Sequence, residues 1–117
     1  MKLAIVGSRD FTDKDRFEAM MEFTTSLWGL PEVVISGGAR GTDTLGEQWA
    51  KSLNIPTIIY NPDWSTYGKR AGILRNIDII NNSTHVIAFP SKTGKGTQNS
   101  IKLAEKQGKP LIIHWID

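Results

Sequence analysis

The chain has 117 residues, of which 39% are hydrophobic and 22% charged, so we expect one folded domain over residues 1–117. It has no cysteine, which excludes disulfides and thiolate metal sites, and no apolar run approaches the roughly 20 residues that span a bilayer. The N-terminus has no signal peptide pattern, so we expect a cytoplasmic protein. The net charge of only +2 predicts that nucleic acid is an unlikely partner.

Five short runs rich in Ile and Val are separated by stretches of helical length. Nearly continuous hydrophobicity of this kind is typical of strands that are covered on both faces. The predicted strands are Lys2–Val6, Glu32–Ile35, Pro56–Tyr60, His85–Phe89 and Pro110–His114. Strand alternating with helix predicts a single Rossmann-like three-layer α/β domain, with a five-stranded parallel sheet in the order 3-2-1-4-5 and helices on both faces.

Apolar residues at helical spacing indicate which face of each helix meets the sheet. The predicted faces are Met20, Phe23, Thr24 and Leu27 in the first helix, Leu45, Trp49 and Leu53 in the second, Ile73, Ile77 and Ile80 in the third, and Ile101 with Ala104 in the fourth. The segment Asn61–Gly68 is the longest predicted irregular stretch.

Glycine-containing loops follow the first, second and fourth predicted strands. They are Gly7–Arg9, Gly37–Asp43 and Thr93–Thr97. Because the carboxyl ends of parallel strands lie at one edge of the sheet, these loops predict one ligand site there. Thr42 and Thr97 are expected to cap the following helices, whose free N–H groups favour phosphate or carboxylate oxygens. The spacing matches neither GxGxxG nor GxxxxGK[ST], so no nicotinamide or P-loop cofactor is indicated.

These loops belong to longer motifs that resemble a known family. The motifs are Val-Gly-Ser-Arg-Asp-Phe at 6–11, Ser-Gly-Gly-Ala-Arg-Gly-Thr-Asp at 36–43, Pro-Asp-Trp at 62–64, Tyr-Gly-Lys-Arg-Ala-Gly-Ile-Leu-Arg-Asn at 67–76 and Gly-Lys-Gly-Thr at 94–97. Together they resemble the YspA-type, YpsA-related branch of the SLOG superfamily, which includes LOG phosphoribohydrolases and the Rossmann domain of DprA. The resemblance implies a bacterial or phage protein with a pocket for a nucleotide or nucleotide-derived small molecule.

The resemblance also bears on hydrolysis of an N-glycosidic bond. LOG hydrolases carry a Gly-Gly-x-Gly-Thr-x-x-Glu turn, and here the position of the catalytic Glu holds Ser100. Arg75 is similar to the arginine that LOG enzymes place on the preceding helix, so it is the one candidate catalytic residue. Asp10, Asp43 and Asp78 are the carboxylates that could replace the missing Glu.

The candidate ligand-binding residues join the loops to polar and aromatic residues that no core explains. Arg9 offers a planar fork of donors to a phosphate, and Trp64 lies in a loop where it could stack a base. Arg75 and Asn76 lie off the apolar face of their helix. The full predicted set is Gly7, Ser8, Arg9, Gly37, Gly38, Arg40, Gly41, Thr42, Asp43, Trp64, Arg75, Asn76, Gly94, Gly96 and Thr97.

Three functions follow from these observations. The leading interpretation is a sensor, carrier or sequestering protein that binds a nucleotide-derived small molecule, such as a signalling nucleotide in a phage setting. The first alternative is a LOG-like phosphoribohydrolase, and the second is DprA-like binding of single-stranded nucleic acid. Two isolated histidines, His85 and His114, without carboxylates at ligand spacing, predict no metal site. A homo-oligomer is compatible with so small a domain.

Overall fold

A computed structural model describes residues 1–117 as an all-parallel, five-stranded sheet with helices packed on both faces. The strands are β1 (Lys2–Gly7), β2 (Val33–Ser36), β3 (Thr57–Ile59), β4 (His85–Phe89) and β5 (Leu111–Ile113). The helices are α1 (Lys14–Trp28), α2 (Thr42–Ser52), α3 (Trp64–Tyr67), α4 (Ala71–Asn81) and α5 (Lys95–Lys106), and a 3₁₀ turn at Gly68–Arg70 joins α3 to α4. The strand order β3-β2-β1-β4-β5 confirms the predicted fold class and topology.

Side chains alternate along the strands and supply a separate core to each face of the sheet. On one face, Leu3 and Ile5 pack with α1 and α2. On the other face, Ala4 and Val6 pack with α4 and α5. The central strands β1 and β4 are therefore covered on both sides, which explains their nearly continuous hydrophobicity. The chain reverses its direction across the sheet between β3 and β4, so the switch point lies between β1 and β4.

The predicted apolar face of α1 is only partly right. Phe23 and Leu27 are 51% and 61% exposed, whereas Phe17, Met21 and Thr24 are buried. The buried residues are spaced i, i+4 and i+7, so they also share one face of a helix. The sequence thus offers two overlapping stripes, and packing against the sheet selects the one that begins at Phe17.

Two further apolar residues of the predicted helix faces lie outside the core, since Leu53 and Ile73 are 44% and 55% exposed.

The predicted irregular stretch contains a helix. Within Asn61–Gly68, the short helix α3 begins where the Asp63 carboxylate accepts the N–H of Thr66 at 3.1 Å. Local capping therefore orders a segment that has too few apolar residues to be recognised by periodicity.

No helix of the protein has the length and hydrophobicity that a membrane span requires.

Candidate functional site

A cleft of about 440 Å³ opens at the carboxyl edge of the sheet, at the switch point between β1 and β4. Its walls are the loops after β1, β2 and β4 together with one side of α4, and most of its lining is polar. The predicted residues that line it are Gly7, Ser8, Arg9, Arg40, Asp43, Arg75, Asn76, Gly94, Gly96 and Thr97. The three glycine-containing loops therefore meet around one cavity.

A second, more open pocket of about 510 Å³ adjoins the cleft. Arg9, Arg40 and Arg75 border both cavities, so the two form one continuous groove. Gly37 and Gly38 lie in the second pocket, and Trp64, which is 52% exposed, forms its far side. The groove thus runs from the start of α5, past three arginines, to an exposed indole ring.

Two predicted binding residues, Gly41 and Thr42, line neither cavity. The Thr42 hydroxyl and backbone N–H both donate to the Ser8 carbonyl, at 2.9 and 3.1 Å. Gly41 has a φ of +74°, and a Cβ there would clash with the carbonyl of Arg9. These residues therefore join the loops after β1 and β2, and their part in the site is to position Ser8 and Arg9.

The predicted threonine caps are wrong, because glycines occupy the cap positions of both helices. Gly94 precedes α5, and no side chain caps this helix. Thr97 is only 8% exposed and borders the cleft, yet its hydroxyl has no hydrogen-bond partner. The backbone N–H groups of Lys95, Gly96 and Thr97 also have no acceptor in the protein. The first turn of α5 therefore presents several free donors, an arrangement that favours an anion.

Arg75 reaches from α4 across the groove to the loop after β2. One terminal nitrogen donates to the Gly37 carbonyl at 2.6 Å, and Nε donates to the Asn76 side chain at 3.0 Å. A Cβ at position 37 would lie 2.5 Å from this guanidinium, so the close approach requires glycine. Burial lowers the pKa of Arg75. The charge of Arg9 lowers it further, whereas the Asp43 carboxylate raises it. The result is a positive charge that is fixed in position.

Asp43 lies in the first turn of α2, in the wall of the cleft, and is only 8% exposed. Its carboxylate accepts the N–H of Ala39 at 3.1 Å. Burial raises the pKa of Asp43 to about 6, although the hydrogen bond from Ala39 and the charge of Arg75 act in the opposite direction. The side chain therefore changes charge close to neutral pH, inside the candidate site.

Ser100, at the position of the catalytic Glu of LOG hydrolases, does not supply a group that could replace that carboxylate. Ser100 is 1% exposed and donates to the Gly96 carbonyl at 3.4 Å, within its own helix. Asp10 and Asp43 border the cleft, whereas Asp78 does not. Asp10 is paired with Arg40 at 3.6 Å across the mouth of the cleft, and both side chains are exposed. No three His, Cys, Asp or Glu side chains are grouped to hold a metal ion.

Two lysines of the cleft are absent from the predicted set of binding residues, although one of them, Lys95, lies within the predicted loop Thr93–Thr97. Lys69, from the 3₁₀ turn, and Lys95, from the start of α5, both line the cavity. Neither they nor Arg9 takes part in any of the three ion pairs of the protein. The signal for Lys69 was present in the Tyr-Gly-Lys-Arg motif at 67–70, immediately before the helix that carries Arg75.

The sequence model of the YspA, cpYpsA-related SLOG family matches residues 1–67 of this chain. The chain belongs to this family. It is also similar to the gene 61 protein of Mycobacterium phage D29, with 35% identity over 95% of this chain and 94% of that protein. The match to the family model covers the loops after β1 and β2, and the likeness to the phage protein extends over nearly all of the fold.

Two solved structures of DNA processing protein A share the fold of this SLOG chain. The protein from Helicobacter pylori, described for its single-stranded DNA binding mode, matches 97% of the chain with a TM-score of 0.71 and 24% identity. The protein from Streptococcus pneumoniae matches 96% of the chain with a TM-score of 0.76 and 20% identity. The chain spans 64% and 49% of the lengths of these two proteins.

The expectation that nucleic acid is an unlikely partner is wrong. Nearly the whole chain has the fold of a protein that is described for binding single-stranded DNA. The expectation failed because net charge sums the whole surface, whereas contacts with phosphate depend on local charge. In this family member five basic side chains line the groove against the two carboxylates of Asp10 and Asp43, and Asp15, Glu18 and Glu22 lie on α1, outside the groove lining.

Proposed function

We propose that this chain binds single-stranded nucleic acid, with one backbone phosphate in the cleft and a base against Trp64. The observation that carries the proposal is the clustering of basic side chains around the free N-terminus of α5, in a groove that continues to an exposed tryptophan. Helix N-termini and arginines favour phosphate, and aromatic rings stack bases of any sequence. A basic groove next to an aromatic side chain is typical of proteins that bind single strands.

Three kinds of donor are available to a phosphate in this proposal. They are the backbone N–H groups of Gly96 and Thr97, the unpartnered Thr97 hydroxyl, and the guanidinium of Arg9. Arg75 adds positive charge from a position held by Gly37. The likeness to the Helicobacter pylori protein supports a polymer as the ligand, because that protein is described for its single-stranded DNA binding mode.

The test compares Arg9→Ala with Lys51→Ala in binding to (dT)12, measured by isothermal titration calorimetry. Both side chains are exposed, and Lys51 lies in the last turn of α2, outside the groove lining, so it serves as a charge-matched control. Hydrogen bonds to charged groups contribute about 1.5–3 kcal/mol, so Arg9→Ala should weaken binding roughly 10- to 100-fold. The control should stay within about twofold. Absence of binding by the unmodified protein, or equal affinities of the Arg9 variant and the unmodified protein, would refute the proposal.

A free nucleotide is the second candidate ligand, and the dimensions of the cleft favour it. The volume of about 440 Å³ falls within the range of roughly 300–1,000 Å³ typical of small-molecule sites. The buried Asp43 carboxyl in its wall suits ribose hydroxyls as well as it suits the dipole of α2. Calorimetry with nucleoside monophosphates separates the two candidates. A protein that binds AMP and does not bind (dT)12 is a nucleotide sensor or carrier, and the reverse result supports single-strand binding.

A further inference from the structure

One exposed face of α5 carries a row of three lysines. Lys95, Lys102 and Lys106 are all exposed and are spaced i, i+7 and i+11, which places them on the same side of the helix. At a rise of 1.5 Å per residue, the row is about 16 Å long. We refer to these three residues as the α5 lysine stripe.

The charge of the stripe is not neutralised by the protein. None of its lysines belongs to the three ion pairs, and Glu105, the acidic residue of α5, pairs with none of them. The Lys109 ammonium, by contrast, donates to the Ile80 carbonyl, so it is held against the protein and is not offered to a ligand.

The opposite layer of the protein has the contrary charge. There α1 exposes three acidic residues against two basic ones, a net charge of −1, whereas α5 carries three lysines against Glu105, a net charge of +2. The acidic residues of α1 are Asp15, Glu18 and Glu22, and its basic ones are Lys14, which lies 3.9 Å from Glu18, and Arg16. Since α1 and α5 pack on different faces of the sheet, these two helices place net charges of opposite sign on opposite sides of the protein. An extended polyanion that leaves the cleft is therefore favoured over the α5 layer and disfavoured over the α1 layer.

The stripe begins at the cleft. Lys95 and the adjacent Gly96 line the cavity, and from there the other two lysines lead away along the outside of α5. At the spacing of about 3.4 Å per charge in a stacked strand, a row of 16 Å passes roughly five phosphates, and fewer in an extended strand. The groove that binds the first phosphate and the row that follows it are thus continuous.

We propose that single-stranded nucleic acid continues from the cleft along the α5 lysine stripe, where Lys102 and Lys106 each contact a further backbone phosphate. This inference rests on the proposed function, because it requires one phosphate of the strand to occupy the cleft. It adds the path that the bound strand follows from the cleft, and it sets a minimum length for a ligand that contacts Lys102 and Lys106. A three-nucleotide ligand fits the cleft alone, whereas a twelve-nucleotide ligand also reaches the stripe.

The experiment measures the binding of 5′-phosphorylated (dT)3 and of (dT)12 at several salt concentrations. The variants are the double substitution Lys102→Ala/Lys106→Ala and the charge-matched control Lys14→Ala/Lys51→Ala, which removes two lysines from the α1 and α2 layer. Each phosphate contact on a single strand contributes about 0.7 to the slope of log K against log salt. We expect the stripe variant to lose about 1.4 from the slope for (dT)12, so that between 50 and 200 mM salt the unmodified protein weakens about sevenfold more than the variant.

The short ligand and the control separate this inference from the proposed function. The stripe variant should bind (dT)3 as the unmodified protein does, and the control should match the unmodified protein with both ligands. If the stripe variant keeps the full slope for (dT)12 while Arg9→Ala still weakens binding, the stripe is only a solvated surface and the inference is wrong. If the unmodified protein binds neither ligand, the proposed function fails together with it.

Discussion

Four helices of this protein begin in two different ways, depending on where they lie. At α1 and α3 an aspartate caps the helix: the Asp13 carboxylate accepts the N–H of Arg16, and the Asp63 carboxylate accepts that of Thr66, both at 3.1 Å. At α2 and α5, whose first turns form walls of the cleft, the cap residues are Gly41 and Gly94 and no side chain serves as a cap. In place of glycine, a capping side chain at position 94 would stabilise α5 by only a few tenths of a kcal/mol, whereas a side chain at position 41 would clash with the carbonyl of Arg9.

The contrast shows how the start of α5 stays available to a ligand. A cap side chain satisfies backbone N–H groups and brings negative charge to the same place that an anionic ligand would occupy. At α5, leaving the cap position to glycine keeps these donors free and lets a ligand approach the backbone closely. At α2, Gly41 instead allows the close packing against the loop after β1, and the N–H of Thr42 donates to the Ser8 carbonyl. The aspartate-capped start of α1 and the uncapped start of α5, which lines the cleft, therefore represent a start that serves stability alone and one that is open to a ligand.

The largest expected effect comes from converting the open start of α5 into a capped one. Gly94→Asp places a carboxylate beside the free N–H groups, where it competes with phosphate and repels it. Because like charges in contact cost several kcal/mol, binding of (dT)12 should weaken at least about 100-fold in calorimetry. Unchanged affinity would show that no phosphate binds at this helix start.

A second comparison concerns the aspartates of α1 and α2, which differ in burial. Asp13 is exposed, whereas burial raises the pKa of Asp43 from 3.8 to about 6. A raised carboxyl pKa means that the folded state holds its proton between about pH 4 and 6 while the unfolded state has lost it. The protein therefore loses stability as the pH rises through this interval.

Asp43→Asn should remove this loss. At one pKa unit per 1.36 kcal/mol, the variant should exceed the unmodified protein in unfolding free energy by roughly 2–3 kcal/mol at pH 8. The advantage should disappear below about pH 3, where the carboxyl is almost fully protonated in both states. Urea denaturation at the two pH values measures both quantities, and a variant that is less stable at pH 8 would contradict the burial argument.

Removing a cap that has only a stabilising role should leave binding intact. Asp13→Ala deletes the acceptor for the N–H of Arg16 and should lower the unfolding free energy by about 0.5–2 kcal/mol. Its affinity for (dT)12 should equal that of the unmodified protein, because the start of α1 does not line the cleft. A loss of affinity without a loss of stability would reverse the distinction drawn between the two kinds of helix start.

The smallest expected effect comes from two threonines whose hydroxyl groups differ in their hydrogen bonding. The Thr97 hydroxyl has no partner and faces the cleft, whereas the Thr42 hydroxyl donates to the Ser8 carbonyl at 2.9 Å. Thr97→Val should weaken binding of (dT)12 about 2- to 10-fold and leave stability nearly unchanged, since one hydrogen bond contributes about 0.5–1.5 kcal/mol. Thr42→Val should instead lower the unfolding free energy by about 1 kcal/mol. Thermal unfolding and calorimetry of both variants test the pair, and the opposite pattern would refute it.

Much of the fold was predictable because each strand carries its signal locally. The Ile- and Val-rich runs reveal β1 and β4 since both faces of these strands are buried, and the parallel order follows from the helices between them. The glycine loops likewise predicted the edge of the sheet where the cleft lies. Gly7, Gly94 and Gly96 line the cavity as expected.

The failures share a different cause, since each depended on contacts between distant segments. Whether Phe17 or Phe23 meets the sheet is decided by how α1 packs, because both belong to a regular apolar stripe. Thr42 was predicted to cap α2 and to bind ligand, but its hydroxyl bonds the Ser8 carbonyl, 34 positions away in the chain. The spacing of residues within one helix contains no information about such a partner.

By itself, the sequence determined the fold class, the strand order, the family and the edge of the sheet that carries the cleft. These follow from local hydrophobic patterns and from motifs that are contiguous in the chain. Only the tertiary structure decided that Arg75 is held against Gly37, that burial raises the pKa of Asp43 to about 6, and that α1 and α5, with opposite net charges, lie on different faces of the sheet. The reason is physical: burial and electrostatic potential are sums over neighbours in space, and the sequence orders residues only along the chain.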